Sequence, residues 1–368
     1  MNKKLLAVAV ASVLAAPATA LAQVTISGVF KVGIDQYKVS NPVPARTQSS
    51  EMRLTDNSSR IIFSVSEDLG GGLAAIGQWD VRAAMDAGGA MANSGNTWVG
   101  LRSNSWGSLT LGRHDLHYGK QPDDIAAKAG ALMAAAVSLM DYAGGGATAI
   151  AVTSRTANVV RWDSPAWGGF AITAAYSTAV AAQEADLTAG ANVKGSAYNL
   201  NPAFTASNWQ IGASLWNSKS DGATSATVVE QKATVIYGYM RFGGWKIGGA
   251  HNKSTVSVGG TDTSDRTAWT IPVGFTTGAH NFNLHYTKAG DDDRIAGDNS
   301  AKMLAAAYVY DLSKRTSMGV TYAKLDNSAA ANYSFFTNTS GGGLSSANTS
   351  LAAGEDGKLL AFTVRHAF

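Results

Sequence analysis

From residue 23 onward, apolar and polar side chains alternate with a period of two in one segment after another. In the first segment the apolar set is Val24, Ile26, Phe30, Val32 and Ile34, and the polar set is Thr25, Ser27, Lys31 and Asp35. Strands that face lipid on one side and water on the other repeat this pattern over about ten residues. A soluble β-sandwich also alternates. The small or charged partners on strand after strand, with little helix between them, favour a transmembrane barrel.

The pattern predicts an all-β fold, a sixteen-stranded antiparallel transmembrane β-barrel. The predicted strands are residues 24–37, 59–69, 73–86, 96–103, 108–113, 156–163, 169–177, 194–201, 207–217, 229–242, 245–256, 266–275, 279–288, 300–312, 315–325 and 356–368. The nearest approach to a transmembrane helix, Ile125–Met140, is interrupted by Lys128, Gly130 and Ser138. A chain that spans a membrane without helices must close into a barrel to satisfy its backbone hydrogen bonds.

The connections between the predicted strands alternate in length. The short ones are Gly70–Gly72, Asn104–Gly107, Pro165–Gly169, Gly243–Gly244 and Leu312–Arg315. The longer ones are Lys38–Ser58, His114–Ser154, Ser257–Asp265 and Asp326–Gly354. Short periplasmic turns and long extracellular loops are typical of outer-membrane barrels. No linker divides the chain after residue 22 into two domains.

The first 22 residues have the features of a secretory signal peptide. Two lysines precede the apolar run Leu5–Ala16, and Ala20-Leu21-Ala22 supplies a small-x-small cleavage site. Because the run is shorter than the roughly 20 residues of a membrane-spanning helix, a cleaved leader is favoured over an anchor. We therefore expect residues 1–22 to be removed and residues 23–368 to form one barrel domain.

Composition argues against several functional classes. The chain contains no cysteine, which removes Cys-based catalysis, iron–sulfur clusters and thiolate zinc sites, and we expect no metal and no cofactor. Without the two lysines of the leader, 27 of the 29 basic residues remain against 26 acidic ones. This near-neutral balance gives no reason to expect a nucleic-acid partner.

A set of short motifs runs from residue 23 to the C-terminus. They are Gln23-Val24-Thr25-Ile26-Ser27-Gly28, Ser59-Arg60-Ile61-Ile62-Phe63, Glu67-Asp68-Leu69-Gly70-Gly71-Gly72-Leu73, Val99-Gly100-Leu101, Trp106-Gly107-Ser108-Leu109-Thr110-Leu111-Gly112-Arg113, Ser164-Pro165, Gly168-Gly169-Phe170, Leu312-Ser313-Lys314-Arg315-Thr316 and Arg365-His366-Ala367-Phe368. In combination they resemble the Gram-negative general porin family, in its betaproteobacterial form. The similarity covers residues 23–368 and is weaker in the loops.

The resemblance implies a water-filled outer-membrane channel for passive diffusion of ions and small hydrophilic solutes, rather than an enzyme. It implies a homotrimer, surrounded by outer-membrane lipid and lipopolysaccharide, and a long third loop folded into the lumen as a constriction. His114–Ser154 has the position and length of that loop, and connections of this size are usually functional or disordered.

The last strand carries a feature of its own. Leu360, Phe362 and Val364 alternate on one apolar face with the terminal Phe368, interrupted only by His366. In the family that the motifs resemble, such a strand is the signal that the barrel-assembly machinery reads. The alternative is an ordinary edge strand, and the final phenylalanine favours the signal.

Charged residues of the wall and of the long loop are candidates for the pore constriction. The family's basic cluster corresponds to Arg60 and Arg155, whereas Gly95-Asn96 stands where relatives carry arginine and Lys31 where an acid is common. Arg82 and Arg161 are further basic candidates, because they share the inward parity of their strands. The candidates for the opposing acid are Asp80, which has the same parity as Arg82, and the loop residues Asp115, Asp123, Asp124 and Asp141.

Such charges have two interpretations. Cations on one wall and carboxylates across the lumen would create a transverse field and a weak anion selectivity, because a narrow slot with low-dielectric walls focuses the field. Alternatively, the arginines pair with acids and merely rigidify the wall. The sequence leaves both open.

Other functions and sites are less well supported. A channel specific for small organic anions remains possible, and a barrel-type hydrolase is a weaker alternative because the inward His285 has no nucleophile motif beside it. His114 and His117 lack a third metal ligand. Asp291–Asp293 lacks the spacing of a calcium loop and is interpreted as a solvated turn.

Overall fold

One antiparallel β-sheet closes on itself in the computed structural model, which describes residues 23–88, 91, 93, 95–141, 155–180, 195–220, 228–336 and 350–368. The strands are β1 (Gln23–Ser40), β2 (Ser50–Asp56), β3 (Arg60–Gly70), β4 (Leu73–Arg82), β5 (Thr97–Ser103), β6 (Gly107–His114), β7 (Thr156–Asp163), β8 (Phe170–Ser177), β9 (Ser196–Thr205), β10 (Trp209–Lys219), β11 (Val229–Phe242), β12 (Trp245–Val258), β13 (Thr261–Thr277), β14 (His280–Ala289), β15 (Ala301–Asp311), β16 (Thr316–Asn327) and β17 (Asp356–Ala367). The predicted leader lies outside the described residues.

The long strand β1 closes the barrel. Its first half pairs with β3 and its second half pairs with both β17 and β2. Between β2 and β3 the chain breaks at Ser58, which has a φ of 75°, and the Asp56 carboxylate accepts the Ser58 amide at 2.9 Å. Because β2 and β3 are two pieces of one barrel strand, the seventeen strands form the predicted sixteen-stranded barrel.

All sixteen predicted strands are present, and two predicted loops are wrong. Residues 38–58 contain β2, whose alternation of Glu51, Met52, Arg53 and Leu54 was not assigned to a strand. Residues 257–265 contain the ends of β12 and β13, which meet at the two-residue turn Gly259–Gly260. Long strands that rise above the membrane replace the expected loop there.

Alternation along the strands is confirmed, but the inner face is not uniformly polar. On β15, Leu304 and Tyr308 are exposed on the outer face, while Ala301, Ala305 and Ala307 are buried on the inner face. Small apolar residues line this part of the lumen because a loop, rather than water, covers them. The rule that the interior of an outer-membrane barrel is polar holds only where water contacts the wall. It does not hold where the loop covers these alanines.

Helix is limited to two single turns, Leu132–Ala134 and Val137–Met140, in the described part of the chain. Neither these turns nor any other described segment is a helix long and apolar enough to cross a membrane.

Aromatic side chains mark the outer surface near the strand ends, as interfacial girdles do. Trp79, Trp106, Trp167 and Trp245 are exposed there. Two further aromatics that resemble girdle residues in sequence face inward instead. Tyr37 is buried against Phe335 at 5.9 Å between ring centroids, and Trp98 stacks on His114.

Closure of the barrel depends on Gly28, which lies where β1 exchanges β3 for β17. A Cβ atom there would lie 2.5 Å from the carbonyl oxygen of Arg60 and 2.6 Å from the ring of Phe368. We predict that Gly28→Ala destabilises the barrel by about 1–3 kcal/mol, the usual cost of overpacking. The measurement is the temperature at which the compact folded band is lost on a denaturing gel.

Gly77→Ala is the matched control for this substitution. The added Cβ would meet only the carbonyl oxygen of Trp98, at an ordinary contact distance of 3.5 Å. Equal unfolding temperatures of the two variants would contradict the account of closure.

Candidate pore constriction

The connection between β6 and β7, residues 115–155, folds into the barrel, and we call it the constriction loop; its residues 142–154 lie outside the described part. Hydrogen bonds tie its described part to the inner wall. They are His117 Nδ1 with Ser214 Oγ at 2.9 Å, Asn252 Nδ2 to Met140 O at 2.9 Å, Arg266 Nη1 to Leu139 O at 3.1 Å, His285 Nε2 to Ala134 O at 2.7 Å, and Ala131 N to Thr321 Oγ1 at 2.9 Å. The loop therefore covers the inner faces of β10 to β16.

Apolar packing holds the middle of the constriction loop against this wall. The apolar residues from Ala131 to Met140, all buried except the half-buried Leu132, form one cluster with inner side chains of β13 to β17, including Ala301, Ala305 and Ala323. Small wall residues let the loop backbone approach closely: a Cβ on Gly319 would lie 2.8 Å from the Ala129 carbonyl oxygen. Removal of this apolar surface from water stabilises the inward position of the loop.

Three of the four predicted loop acids hold the loop in place. Asp123 accepts the amides of Ile125 at 2.8 Å and Ala136 at 2.7 Å, and Asp124 pairs with Lys246 of β12 at 2.5 Å. The third is Asp141, which accepts the Gly119 amide. None of these carboxylates is left as a free anion opposite the basic wall.

Asp141 is buried and accepts the Gly119 amide at 3.0 Å. Burial raises the pKa of its carboxyl to about 6. This carboxylate therefore joins the two ends of the described loop rather than facing the lumen.

Lys31 also differs from its predicted place at the pore surface. Its side chain is buried beneath the constriction loop, and Nζ donates to the carbonyl oxygen of Ala126 at 2.8 Å. The residue anchors the loop to β1 instead of lining the pore, because the loop extends across β1 at this height.

Arg60 and Arg82 lie directly opposite each other on β3 and β4. Asp80 lies between them on the same wall, 3.0 Å from Arg82 and 3.9 Å from Arg60. Asp80 is thus a neighbour of the arginines and not the opposing acid. The Arg82 side chain is only 3% exposed, whereas that of Arg60 is 37% exposed and faces the lumen.

Arg155 extends this basic wall from the end of the constriction loop. It lies 3.7 Å from Asp115, which is also held by the side-chain amide of Asn96 at 2.9 Å. Arg113 and Arg82 lie within electrostatic range of Arg155. Together with Arg60, four guanidinium groups of the cluster thus face the two carboxylates of Asp80 and Asp115. We call this cluster the arginine wall.

Arg161 faces inward as predicted but does not add free charge to the arginine wall. Its guanidinium makes a two-pronged contact with Asp163, with Nη2–Oδ1 at 2.8 Å and Nε–Oδ2 at 2.9 Å. This pair matches the alternative in which an arginine rigidifies the wall.

Arg365 on β17 was not identified from the sequence as a residue of the pore. It lies directly opposite Lys31 on the inner face and within electrostatic range of it, next to the arginine wall. The signal was present, because the outward apolar set of Leu360, Phe362 and Val364 puts residue 365 on the inward face.

A second loop also enters the barrel, and only its length could be predicted from the sequence. Residues 328–336, after β16, place Tyr333 and Phe335 fully buried beside the constriction loop. The amide of Phe336 donates to the carbonyl oxygen of Met133 at 3.2 Å, and Arg266 donates to the Tyr333 hydroxyl at 3.0 Å. The connection between β16 and β17, which we call the eighth loop, therefore packs on the constriction loop through its described residues 328–336.

Glu355, at the base of the eighth loop, binds residues of the first loop, which connects β1 to β2. Its buried carboxylate accepts Arg46 Nε at 2.7 Å, the Val43 amide at 2.9 Å and the Ala352 amide at 2.8 Å. The hydrogen bond from the Arg46 guanidinium lowers the pKa of Glu355 to about 2. The network joins two extracellular loops over the edge of the lumen.

The histidines that are candidates for a metal site or a catalytic site, His114, His117 and His285, each contact different partners. His114 contacts Thr110, His117 contacts Ser214, and His285 is buried with both ring nitrogens hydrogen-bonded, to Ala134 and Thr287. Within the described ranges, no group of three His, Cys, Asp or Glu side chains is arranged to hold a metal ion.

A closed antiparallel barrel with apolar outer faces, an inserted loop and a charged inner wall defines a bacterial outer-membrane channel protein. The sequence model of the Gram-negative porin family matches residues 7–330, and the chain belongs to this family. It is a multi-pass β-barrel of the outer membrane. The expectation drawn from the motifs is confirmed.

Individual relatives add detail to this assignment. The major outer membrane protein P.IB of Neisseria meningitidis serogroup B is 32% identical over 117 residues, which are 31% of this chain and about a third (34%) of that protein. The anion-selective porin from Comamonas acidovorans has a similar structure, with a TM-score of 0.74 at 22% identity over 94% of this chain and 100% of the other. The trimer form of OmpT from Vibrio cholerae matches with a TM-score of 0.64 at 12% identity, over 94% and 99% of the two chains.

The packing of the constriction loop gives a testable prediction. Ala305→Phe would force a large ring under the loop and push it into the lumen, at a cost of about 1–3 kcal/mol. We expect a lower single-channel conductance in planar bilayers. Ala306→Phe, one residue along and on the exposed outer face, is the control and should conduct like the wild type. Identical conductance of both variants would contradict the packing.

The Glu355 network gives another prediction. Because the folded pKa is lowered from the ordinary 4.5, the network stabilises the closed loops above about pH 4.5 and loses this effect as the pH falls through about 2. Glu355→Gln removes the carboxylate that pairs with Arg46 and should expose the Val43 and Ala352 amides. We expect their hydrogen exchange at pH 7 to accelerate at least about tenfold, since breaking a buried ion pair is strongly destabilising. Unchanged exchange, as expected for the exposed control Glu51→Gln, would count against the network.

Proposed function

We propose that this protein is a porin that lets ions and small hydrophilic solutes diffuse passively through a water-filled lumen, with a weak preference for anions. One observation carries the proposal. The arginine wall contains more guanidinium groups than carboxylates, and three of the four described candidate acids of the constriction loop, Asp123, Asp124 and Asp141, are engaged in holding that loop.

The physical basis is the field inside a narrow aqueous slot. Positive charge on a low-dielectric wall raises the local concentration of anions and lowers that of cations. Rings or clusters of arginine in a channel act in this way on permeating ions. Arg60 is the principal contributor, because its side chain is partly hydrated, and Arg155 and Arg365 add to the same field.

Several features of the relatives agree with this proposal. The Comamonas protein of similar fold is an anion-selective porin, and the Vibrio protein exists in a trimer form. We infer a homotrimer here too, and a role as a channel rather than as an enzyme. We also infer that residues 1–22 are a cleaved leader and that Phe368 belongs to a signal for the barrel-assembly machinery.

Phe368 supports that inference by its position. Its backbone pairs with Gly28, and its ring lies 5.0 Å from that of Phe30, so the last residue completes the closing seam. The residue inferred to be recognised by the barrel-assembly machinery is thus also the residue that completes the barrel.

The test of the function is the single-channel conductance and reversal potential of purified protein in a planar bilayer under a potassium chloride gradient. We predict large ohmic steps and a reversal potential displaced toward the chloride equilibrium value. The double variant Arg60→Ala with Arg155→Ala should reduce that displacement by at least about half, because two of the four guanidinium groups of the arginine wall are removed.

The control is Arg161→Gln with Asp163→Asn, which removes a neutralised pair from the same region and should leave the selectivity unchanged. A cation-directed potential in the wild type would contradict the anion preference. Absence of conductance in folded protein would contradict the porin itself. A current that saturates with one organic anion would point to a substrate-specific channel.

A further inference from the structure

Lys120 lies on the constriction loop, where that loop starts to cross the lumen. Its ammonium group donates to the side-chain oxygen of Asn201 on β9 at 3.3 Å, and its side chain is half-buried. The loop covers the inner faces of β10 to β16, and β9 is the next strand around the barrel. Lys120 therefore lies at the boundary between the side of the lumen that the loop fills and the side that holds water.

Both ends of this contact are held in place. Gly119, next to Lys120, has a φ of 67°, which residues with a Cβ atom rarely adopt, and its amide donates to the Asp141 carboxylate at 3.0 Å. The Asn201 side chain is also oriented, because its amide nitrogen donates to the Tyr237 hydroxyl at 3.0 Å. Its oxygen therefore faces Lys120, and the fold determines where the ammonium group lies.

Lys120 is not neutralised by a paired carboxylate. Within the described residues, no carboxylate oxygen lies within 4.0 Å of its Nζ. Lys128, the other lysine of the described loop, pairs with Asp311 at the turn end of β15, and Lys246 of β12 pairs with Asp124. Of these three lysines at the loop, only Lys120 keeps its charge available to a passing ion.

The electrostatic surroundings of Lys120 connect it to the arginine wall. Burial is the main cause that lowers the pKa of Lys120 to about 8, and Arg161 on β7 lowers this pKa too. The carboxylates that act against the shift are Asp115, Asp141 and Asp163. Asp115 is part of the arginine wall. The charge of Lys120 therefore adds to the field of the wall, and it is lost as the pH rises through about 8.

We propose that Lys120 is a second selectivity residue, which carries the positive charge of the arginine wall to the far edge of the water-filled slot. The wall extends from β3 to the start of β7, and Lys120 adds a cation at β9. An anion in the slot then meets positive charge on both sides, because low-dielectric walls focus the two fields into the water between them. This inference rests on the proposed anion preference and locates part of it on the constriction loop, where acids were expected.

The test compares the wild type, Lys120→Gln and Lys120→Arg by reversal potential in planar bilayers under a potassium chloride gradient, at pH 7 and at pH 9.5. We expect Lys120→Gln to lower the chloride-to-potassium permeability ratio at pH 7 at least about twofold, because an unpaired cation is removed from a narrow slot. In the wild type the ratio should fall at pH 9.5, since a lysine with a pKa of about 8 is then mostly neutral. Lys120→Arg should keep a high ratio at both pH values, because a guanidinium stays charged.

Lys128→Gln is the matched control, because it removes the same charge from the same loop at its contact with Asp311. It should shift the permeability ratio less than about half as much, since its charge lies at the turn end of the barrel, where salt screens it, and it should keep the wild-type pH dependence. If Lys120 only holds the loop, Lys120→Gln will change the conductance but not the ratio, and the fall at pH 9.5 will persist in it. That result, or an equal shift in Lys128→Gln, would overturn the inference.

The same recordings separate this inference from the proposed function. The sign of the reversal potential in the wild type tests the anion preference of the channel as a whole. The difference between the wild type and Lys120→Gln tests the lysine, whichever sign the wild type shows. An anion-selective wild type with no such difference would overturn the role of Lys120 and leave the proposed function standing.

Discussion

Packing of the constriction loop against small apolar side chains of the inner wall determines which side of the lumen is filled by protein and which by water. The alanine-rich segment after Ala129 is buried against alanines such as Ala305 and Ala323, and its backbone carbonyls are capped by Arg266 and His285. Were the wall residues large or charged, the loop would not lie flat, and the channel would be wide and symmetric. The division of the barrel into a packed side and a water-filled side follows from this contact.

The electrostatics of the pore follow from the same division. Loop carboxylates hold the loop instead of facing the arginine wall, since Asp123 accepts backbone amides and Asp124 pairs with Lys246. The arginine wall therefore stands without an equal set of opposing acids in the described loop. The arginine wall keeps its positive field because these acids anchor the loop and do not neutralise the wall. The channel therefore combines an anchored loop with a preference for anions over cations.

Much of the fold could be predicted from the sequence, because alternation with a period of two is a local signal that each strand carries for itself. The short strand β2 was missed since a positive φ at Ser58 divides it from β3. The site was less predictable. Parity placed Arg60 and Arg161 on the inner face, but whether an arginine is free or paired depends on a partner such as Asp163, two residues away in the chain and set by side-chain conformation. Burial of the Lys31 side chain depends on the constriction loop, which contacts it through Ala126, 95 residues away in the sequence.

The constriction loop seals one side of the lumen and leaves Arg60, the most exposed of the salt-bridged arginines in the arginine wall, in contact with water. The chain contains no cysteine, so single variants Arg60→Cys and Ala305→Cys can be compared in a planar bilayer during exposure to a cationic thiol reagent. The account predicts rapid stepwise loss of current for Arg60→Cys and no reaction for Ala305→Cys. Equal reaction at both positions, or reaction at position 305 alone, would contradict it.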